Sequence, residues 1–174
     1  MALNTVKTVL GFLRGSVEKL IPALNQSKRI EDIYNFHSLE NLYATSGQPN
    51  EKEFQLIKEA GYEVVINLAP QSKLENSLID EAGILKRLGI QYLHIPVNFQ
   101  KPSEAKFQLF VDAVEQNKNK KLWIHCAANM RVSAFTYRYR RAYLGVSELE
   151  AKQDLAKIWE PFGAWERFVK KEKI

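Results

Sequence analysis

The chain has 174 residues, of which 45% are apolar and 26% are charged, a composition typical of one folded domain and not of a disordered or fibrous chain. No run approaches the roughly 18 consecutive apolar residues of a membrane-spanning helix, and the single cysteine, Cys126, excludes a disulfide framework, a CxxC pair or a multi-cysteine zinc site within the chain. The net charge of +5 favours anionic partners.

The first segment, residues 1–40, is predicted to be an N-terminal helical extension packed on the domain that follows. It contains the basic residues Lys7 and Arg14 before its first acidic residue, Glu18. Apolar residues recur on one helical face at Val6, Val9, Leu10 and Leu13. An organellar presequence or a membrane-surface helix are the alternatives. A secretory signal is not indicated, because a continuous apolar core and a small-residue cleavage site are missing, and we expect a cytoplasmic protein.

The second segment, residues 41–174, alternates predicted strands with predicted helices. The strand patterns lie at 42–45, 63–68, 92–97 and 121–125. The helical patterns lie at 50–60, 77–88, 103–114, 132–143, 147–158 and 159–169. Helix N-caps are predicted at Asn50 with Glu53 as a capping box, and at Ser77, Ser103 and Ser147.

This alternation predicts an α/β fold with a central, mostly parallel twisted sheet of four to five strands flanked by helices. Ligands of open α/β sheets bind beyond the carboxyl ends of the strands. Cys126 stands directly after a predicted strand and shortly before a predicted helix. The cysteine therefore belongs to the edge of the sheet where a ligand is expected.

The strand-to-helix loop around Cys126 is a candidate anion site. Backbone amides at such a junction converge on one concavity, and the helix dipole adds partial positive charge there. The residues whose amides would contribute are Ala127, Ala128, Asn129, Met130 and Arg131. Arg131 adds a planar guanidinium suited to phosphate oxygens. Cys126 would be a nucleophile, supported by His125 and Ser133; the alternative is an inert, buried cysteine.

Four segments together give this chain a family resemblance. They are SGQP (46–49), VINLAP (65–70), YLHIPV (92–97) and HCAANMRVSAF (125–135). The chain resembles a small bacterial group of dual-specificity-like protein tyrosine phosphatases over residues 40–168. The resemblance implies a cysteine-phosphatase fold in which Cys126 attacks phosphorus to form a thiophosphate intermediate, while Arg131 and the loop amides bind the phosphoryl group. It implies no metal and no cofactor, and a phosphorylated protein or small phosphate ester as substrate.

Four features of the chain depart from the pattern of that family. Four residues separate Cys126 from Arg131, where the family signature has five, and Ala128 and Asn129 stand where it has a glycine. Val132 follows the arginine in place of Ser or Thr. The aspartate that serves as general acid has its counterpart near Asn98, which cannot protonate a leaving group.

Without that acid, turnover should be slow and favour good leaving groups. Possible substitutes are Glu75, Asp80 and Glu104, each of which is otherwise an ordinary surface or capping acid.

Two rival functions are considered, the first suggested by Asn98 and the glycine-free loop and the second by the length of the loop. One is a phosphate- or phosphoprotein-binding module that has lost turnover, and the other is a rhodanese-like sulfurtransferase, whose cysteine loop also has four residues before an arginine.

A basic stretch follows the loop. It interleaves aromatic residues with the arginines Arg131, Arg138, Arg140 and Arg141. Such a pattern can bind nucleic acid. We expect instead a helix on which Arg138 and Arg141 face solvent, so no nucleic-acid partner is predicted. No stable membrane insertion is predicted either, since the sequence has no long apolar run. The oligomeric state stays open.

Overall fold

A computed structural model describes residues 3–20, 27–39, 42–72 and 77–171 of the chain. The strands are β1 (His37–Leu39), β2 (Tyr43–Ser46), β3 (Val64–Asn67), β4 (Gln91–His94) and β5 (Leu122–His125). The α-helices are α1 (Leu3–Leu20), α2 (Glu51–Glu59), α3 (Glu81–Arg87), α4 (Glu104–Gln116), α5 (Met130–Tyr143), α6 (Glu148–Ile158) and α7 (Ala164–Val169). A short 3-10 turn spans Ile30–Asp32.

The strands form one sheet in the order β1-β2-β5-β3-β4. β2, β5, β3 and β4 run parallel, and β1 pairs with β2 in the antiparallel direction at the edge. The predicted α/β fold with a mostly parallel sheet is thereby confirmed. β1 is a strand that the sequence patterns did not indicate, because its three residues are too short to show an alternation.

The sheet separates two apolar layers. One contains Phe107, Phe110 and Phe135, whose rings pack edge to face at centroid distances of 5.5 Å from Phe135. The other layer surrounds Trp123, which contacts Tyr62 and Phe36 across 5.0 and 5.6 Å. Both faces of β5 are buried, and three of its four residues, Leu122, Trp123 and Ile124, are apolar, as expected for a central parallel strand.

The predicted capping residues were right in three of the four places. Asn50 and Glu53 exchange both hydrogen bonds of a capping box at α2. Ser103 and Ser147 accept from backbone amides at α4 and α6.

The fourth predicted cap, Ser77, is wrong. The hydroxyl of Ser77 donates to the carbonyl of Pro70 and accepts from the amide of Ser72, so it closes a loop. Helix α3 begins four residues later, at Glu81, where the carboxylate of Asp80 accepts from the amide of Gly83.

The predicted solvated basic face of α5 is also wrong for Arg138. Its guanidinium lies between the rings of Phe107 and Phe168, at 4.3 and 4.5 Å from their centroids, and donates two hydrogen bonds to Glu104. Arg140 is likewise buried, and it pairs with Glu150 and Asp154. These carboxylates compensate both cations, so of the two arginines expected in solvent only Arg141 is exposed.

The expected division of the chain at residue 40 stays a prediction, since residues 40 and 41 lie outside the described residues. Within the described part, no helix combines the length and the apolar content needed to cross a membrane.

Candidate active site

Cys126 lies at the carboxyl end of the central strand. β5 is hydrogen bonded on one side to β2 and on the other to β3, both parallel to it. The amide of Cys126 still reaches the carbonyl of Ser46 at 3.4 Å, and α5 begins only four residues later, at Met130. Cys126 as a whole is 1% exposed. The cysteine is therefore fixed at the sheet edge where ligands of parallel sheets bind.

The loop turns into the helix through one left-handed residue. Asn129 has φ +62°, a conformation that asparagine tolerates better than most residues. Its side-chain amide donates to the carbonyl of Asn35 at 2.7 Å and to the hydroxyl of Thr45 at 2.9 Å. These two bonds hold Asn129 in place, so a residue other than glycine keeps this conformation with its side chain anchored.

The loop carbonyls are bonded to flanking segments. Ala127 accepts from the amide of Gln48 at 3.3 Å, and Ala128 accepts from the side chain of Asn35 at 3.1 Å. Since the C=O and N–H of a trans peptide point in opposite directions, the carbonyl of Ala127 turns the amide of Ala128 away from Gln48. The first amides of α5, including that of Arg131, point out of the helix N-terminus as well. This end of the loop presents donors that suit an anion.

Gly47 permits the close approach of the flanking segment. A Cβ at this position would lie 2.4 Å from the ring of Tyr34 and 3.1 Å from the carbonyl oxygen of Ala127. Burial raises the pKa of the Tyr34 hydroxyl, and the negative charge of a Cys126 thiolate raises it further. Tyr34 therefore stays neutral beside the cysteine.

Arg131 is buried in the first turn of α5. It is 3% exposed, and its guanidinium carbon lies 5.2 Å from the ring centroid of Phe99. Phe99 in turn packs against Trp159 and Trp165, and its carbonyl accepts from the indole of Trp165 at 2.6 Å. This aromatic support fixes Arg131 at the same helix terminus that faces the cysteine loop.

A buried polar network lies behind the loop. His125 Nε2 lies 3.0 Å from Glu81 Oε1, and the same carboxylate accepts from Gln48 at 2.7 Å and from Asn67 at 3.0 Å. Burial acts to raise the pKa of Glu81, but the charge and hydrogen bond of His125 and the hydrogen bond of Gln48 lower it to about 2. The network joins the ends of β2, β3 and β5 through one carboxylate.

The two predicted supporting residues beside the cysteine contact other groups. The hydroxyl of Ser133 donates to the carbonyl of Met130 and accepts from the indole of Trp159, both at 3.1 Å. His125 directs Nε2 toward Glu81. Ser133 thus braces the backbone of the loop end, and His125 links the loop to the polar network.

The structure shows the contacts of Asn98 and of two of the three candidate acids. Asn98 is exposed, and its side-chain oxygen accepts from the amide of Gln100 at 2.8 Å in a local turn. Asp80 caps α3, and Glu104 forms ion pairs with Arg138 and Lys171. Glu75 lies outside the described residues. Asp80 and Glu104 therefore have the structural roles that surface and capping acids usually have.

Sequence reasoning assigned no role to Glu81, Gln48, Asn67 or Asn35. Gln48 and Asn67 stand within the SGQP and VINLAP segments. Asn67 could have been singled out, because a polar residue in an otherwise apolar strand is unusual and needs a hydrogen-bond partner when buried. Glu81 and Asn35 carry no such signal. Glu81 resembles any acid in the first turn of a helix, and its contact with His125 spans 44 positions.

Comparison with known proteins gives one family and several solved structures. The family described as DSP-PTPase phosphatase fused to NAD+ kinase (PTP-NADK) matches residues 16–162. A DUF442 protein from Shewanella putrefaciens CN-32, solved by crystallography, is 32% identical in sequence to this chain. The two structures superpose with a TM-score of 0.70, and the match covers 80% of this chain and 91% of that one.

More distant relatives share the fold. TpbA of P. aeruginosa is 16% identical, with 87% of this chain and 91% of that chain covered at a TM-score of 0.65.

Among curated proteins, a Beta-lactamase hydrolase-like protein of Xylella fastidiosa (strain Temecula1) is 33% identical over 90 residues, which are 51% of this chain. The matched region spans only 21% of that relative's length.

Proposed function

The chain belongs to the family of DSP-PTPase phosphatases fused to NAD+ kinase, and from this membership we propose that it hydrolyses phosphate monoesters with Cys126 as the nucleophile. One observation carries the proposal. Cys126 directly follows the last residue of the central strand, and Arg131 lies five residues later in the first turn of α5, with the loop between them held by Asn129. A cysteine, an arginine and a helix N-terminus within five residues of one another support this proposal.

The reaction has two displacements at phosphorus. The Cys126 thiolate attacks the phosphorus of the ester, an S–P bond forms, and the P–O bond to the leaving alcohol breaks. Water then attacks the thiophosphate, the S–P bond breaks, and inorganic phosphate and the thiolate are released. Arg131 and the amides of residues 127–131 stabilise the negative charge on the equatorial oxygens in both steps. No step requires a metal ion or cofactor.

The presence of Asn98 where the general acid is expected sets the predicted leaving-group preference. The leaving oxygen must acquire a proton, and the amide of Asn98 has none to give as an acid. Asp80 and Glu104 are held in a helix cap and in ion pairs. We therefore expect slow turnover of alkyl esters and faster turnover of esters whose leaving group departs as a stable anion.

The proposed substrate is a phosphorylated protein or a small phosphate ester. TpbA of P. aeruginosa has been solved in complex with pTyr, which makes a phosphotyrosine peptide the first natural ester to test. A cytoplasmic location and the lack of a nucleic-acid partner stay predictions.

A second candidate function is binding of phosphorylated groups without turnover. It is favoured by the amide at Asn98, which closes a local turn in the region where an acid was expected. Under this alternative, Arg131 and the loop amides would hold a phosphoryl group that Cys126 does not cleave.

Hydrolysis of p-nitrophenyl phosphate tests these two functions against each other. We expect phosphate release by the wild-type chain and its loss, by at least about a thousandfold, in Cys126→Ser. Arg131→Lys should lose most of the activity, because lysine cannot form the planar bidentate contact. The matched control Arg141→Lys changes an exposed arginine on the same helix and should leave activity unchanged.

Each contrary result selects an alternative. Phosphopeptide affinity with no phosphate release from any ester would establish the binding function. Thiocyanate formation from thiosulfate and cyanide, without phosphate release, would establish the sulfurtransferase that the loop length also permits.

A further inference from the structure

Helix α1 packs on the domain with its polar side. Thr8 donates to the carbonyl of Ile158 at 2.6 Å, Thr5 accepts from the amide of Glu160 at 2.9 Å, and Asn4 donates to the carbonyl of Ala156 at 2.8 Å. Both threonines are almost completely buried. Three hydrogen bonds thus join α1 to the end of α6 and the residues after it, and Phe12 is the large apolar residue of α1 that packs against the core. Amphipathic helices usually turn their whole apolar stripe to the core.

The apolar stripe of α1 faces solvent instead. Its large aliphatic side chains are exposed by 40 to 71%, and they are Leu3, Val6, Val9, Leu10 and Leu13. We call these five residues the apolar face of α1. The i, i+3 and i+4 spacing continues in the sequence at Val17 and Leu20. A contiguous aliphatic surface of this kind is typical of a site that binds a membrane or another protein.

The charges along the helix favour an anionic surface. Lys7 is exposed beside the apolar face, Arg14 follows one heptad later, and no acidic residue occurs before Glu18. In a symmetric pair of chains joined through this face, the two copies of these cations would meet one another. An anionic lipid surface instead attracts each of them and accepts the aliphatic side chains between its head groups.

We propose that the apolar face of α1 binds the surface of an anionic lipid bilayer, with the helix lying in the plane of the interface. The 18 residues of α1 would extend about 27 Å along that surface. The helix does not need to span the membrane, and this inference does not rest on the phosphatase activity.

The mode of attachment fixes the domain relative to the bilayer. Asn35 donates both to the hydroxyl of Thr8, at 3.0 Å, and to the carbonyl of Ala128 in the cysteine loop, at 3.1 Å. The hydroxyl of Tyr34 also donates to the carbonyl of Thr8. One residue therefore connects α1 to the loop, and a bilayer bound to α1 would hold the whole domain in one orientation.

Co-sedimentation of the full chain with lipid vesicles tests the proposal. We expect binding to vesicles of phosphatidylcholine with phosphatidylglycerol, weaker binding to phosphatidylcholine alone, and a loss of binding at high salt. The double variant Leu10→Asn with Leu13→Asn should bind at least about tenfold more weakly, because two aliphatic side chains no longer enter the interface.

The matched control is Leu144→Asn with Leu149→Asn, which changes two leucines that are exposed elsewhere on the domain. It should bind vesicles like the wild type, and both double variants should unfold at the wild-type denaturant concentration. Equal vesicle binding by wild type and the α1 variant, or no binding by either, would overturn the proposal. So would a dimer, measured by sedimentation equilibrium without lipid, that the α1 variant dissociates.

Discussion

His125 and Glu81 form a buried pair with 3.0 Å between Nε2 and Oε1, and His125 is the residue that directly precedes Cys126. The carboxylate is also held by Gln48 and Asn67. Because these residues come from the ends of three parallel strands and from the start of α3, the pair fixes the strand end from which the cysteine loop departs.

Substitution Glu81→Gln should make stability less dependent on pH in acid. The pKa of Glu81 is lowered from 4.5 to about 2, so the stabilisation from its charge is present above pH 4.5 and is lost as the pH falls through about 2. At neutral pH the variant should lose about 1 to 3 kcal/mol of unfolding free energy, since glutamine keeps the shape but not the charge.

Urea denaturation of both proteins across this pH range measures the effect. Glu59→Gln, at an exposed position of α2, is the control and should follow the wild type. A wild-type excess in stability that stays constant from neutral pH down to pH 2 would contradict the prediction.

Asn129 should tolerate glycine better than alanine. Both substitutions remove the two hydrogen bonds to Asn35 and Thr45, but only alanine must adopt φ +62° with a Cβ. The left-handed conformation costs a residue with a Cβ roughly 1 kcal/mol more than glycine. Denaturation of the two variants should differ by about that amount, and equal stability would show that backbone conformation at Asn129 is not limiting.

Arg138 should contribute to stability and Arg141 should not. Replacing Arg138 by alanine removes two aromatic contacts and two hydrogen bonds to Glu104, with an expected loss of about 2 to 3 kcal/mol of unfolding free energy. The exposed Arg141, replaced in the same way, should change the unfolding free energy by less than about 0.5 kcal/mol. Similar effects of both substitutions in guanidinium denaturation would indicate that Arg138 is as solvated as Arg141.

Local patterns predicted much of the fold. The caps at Asn50, Ser103 and Ser147 depend on contacts within three residues, and the central strands are marked by their apolar residues. Strand β1 could not be predicted, because it has three residues and depends on pairing with β2. Ser77 failed as a cap because its hydroxyl found partners in the preceding loop, at Pro70 and Ser72.

In the candidate site, too, the contacts between residues close in sequence could be predicted and the long-range contacts could not. Cys126, Arg131 and the helix N-terminus between them are close in sequence, and their arrangement was predictable. Glu81 and Asn35 reach the loop from 44 and 93 positions away, so only the fold reveals them. The orientation of α1 was equally hidden, since periodicity identifies an apolar face but does not say whether it packs inward or outward.

Asn98→Asp should restore part of the acid function. Aspartate keeps the oxygen that accepts from the amide of Gln100 and adds a group that can protonate a leaving oxygen. Turnover of phenyl phosphate should rise by about tenfold or more, while turnover of p-nitrophenyl phosphate should change little. Gln100→Glu, an acid introduced two residues further on, is the control; equal rates for Asn98→Asp and the wild type on phenyl phosphate would remove Asn98 from the acid position.

The most direct test of the proposed function is to locate the phosphoryl group on the enzyme during turnover. The wild-type chain is mixed with p-nitrophenyl phosphate, quenched in acid within one turnover, and its peptides are analysed by mass spectrometry. We predict one phosphoryl group on Cys126, and none in Cys126→Ser. Phosphate release by the wild type with the phosphoryl group on another residue, or undiminished release by Cys126→Ser, would contradict the assignment of Cys126 as the nucleophile.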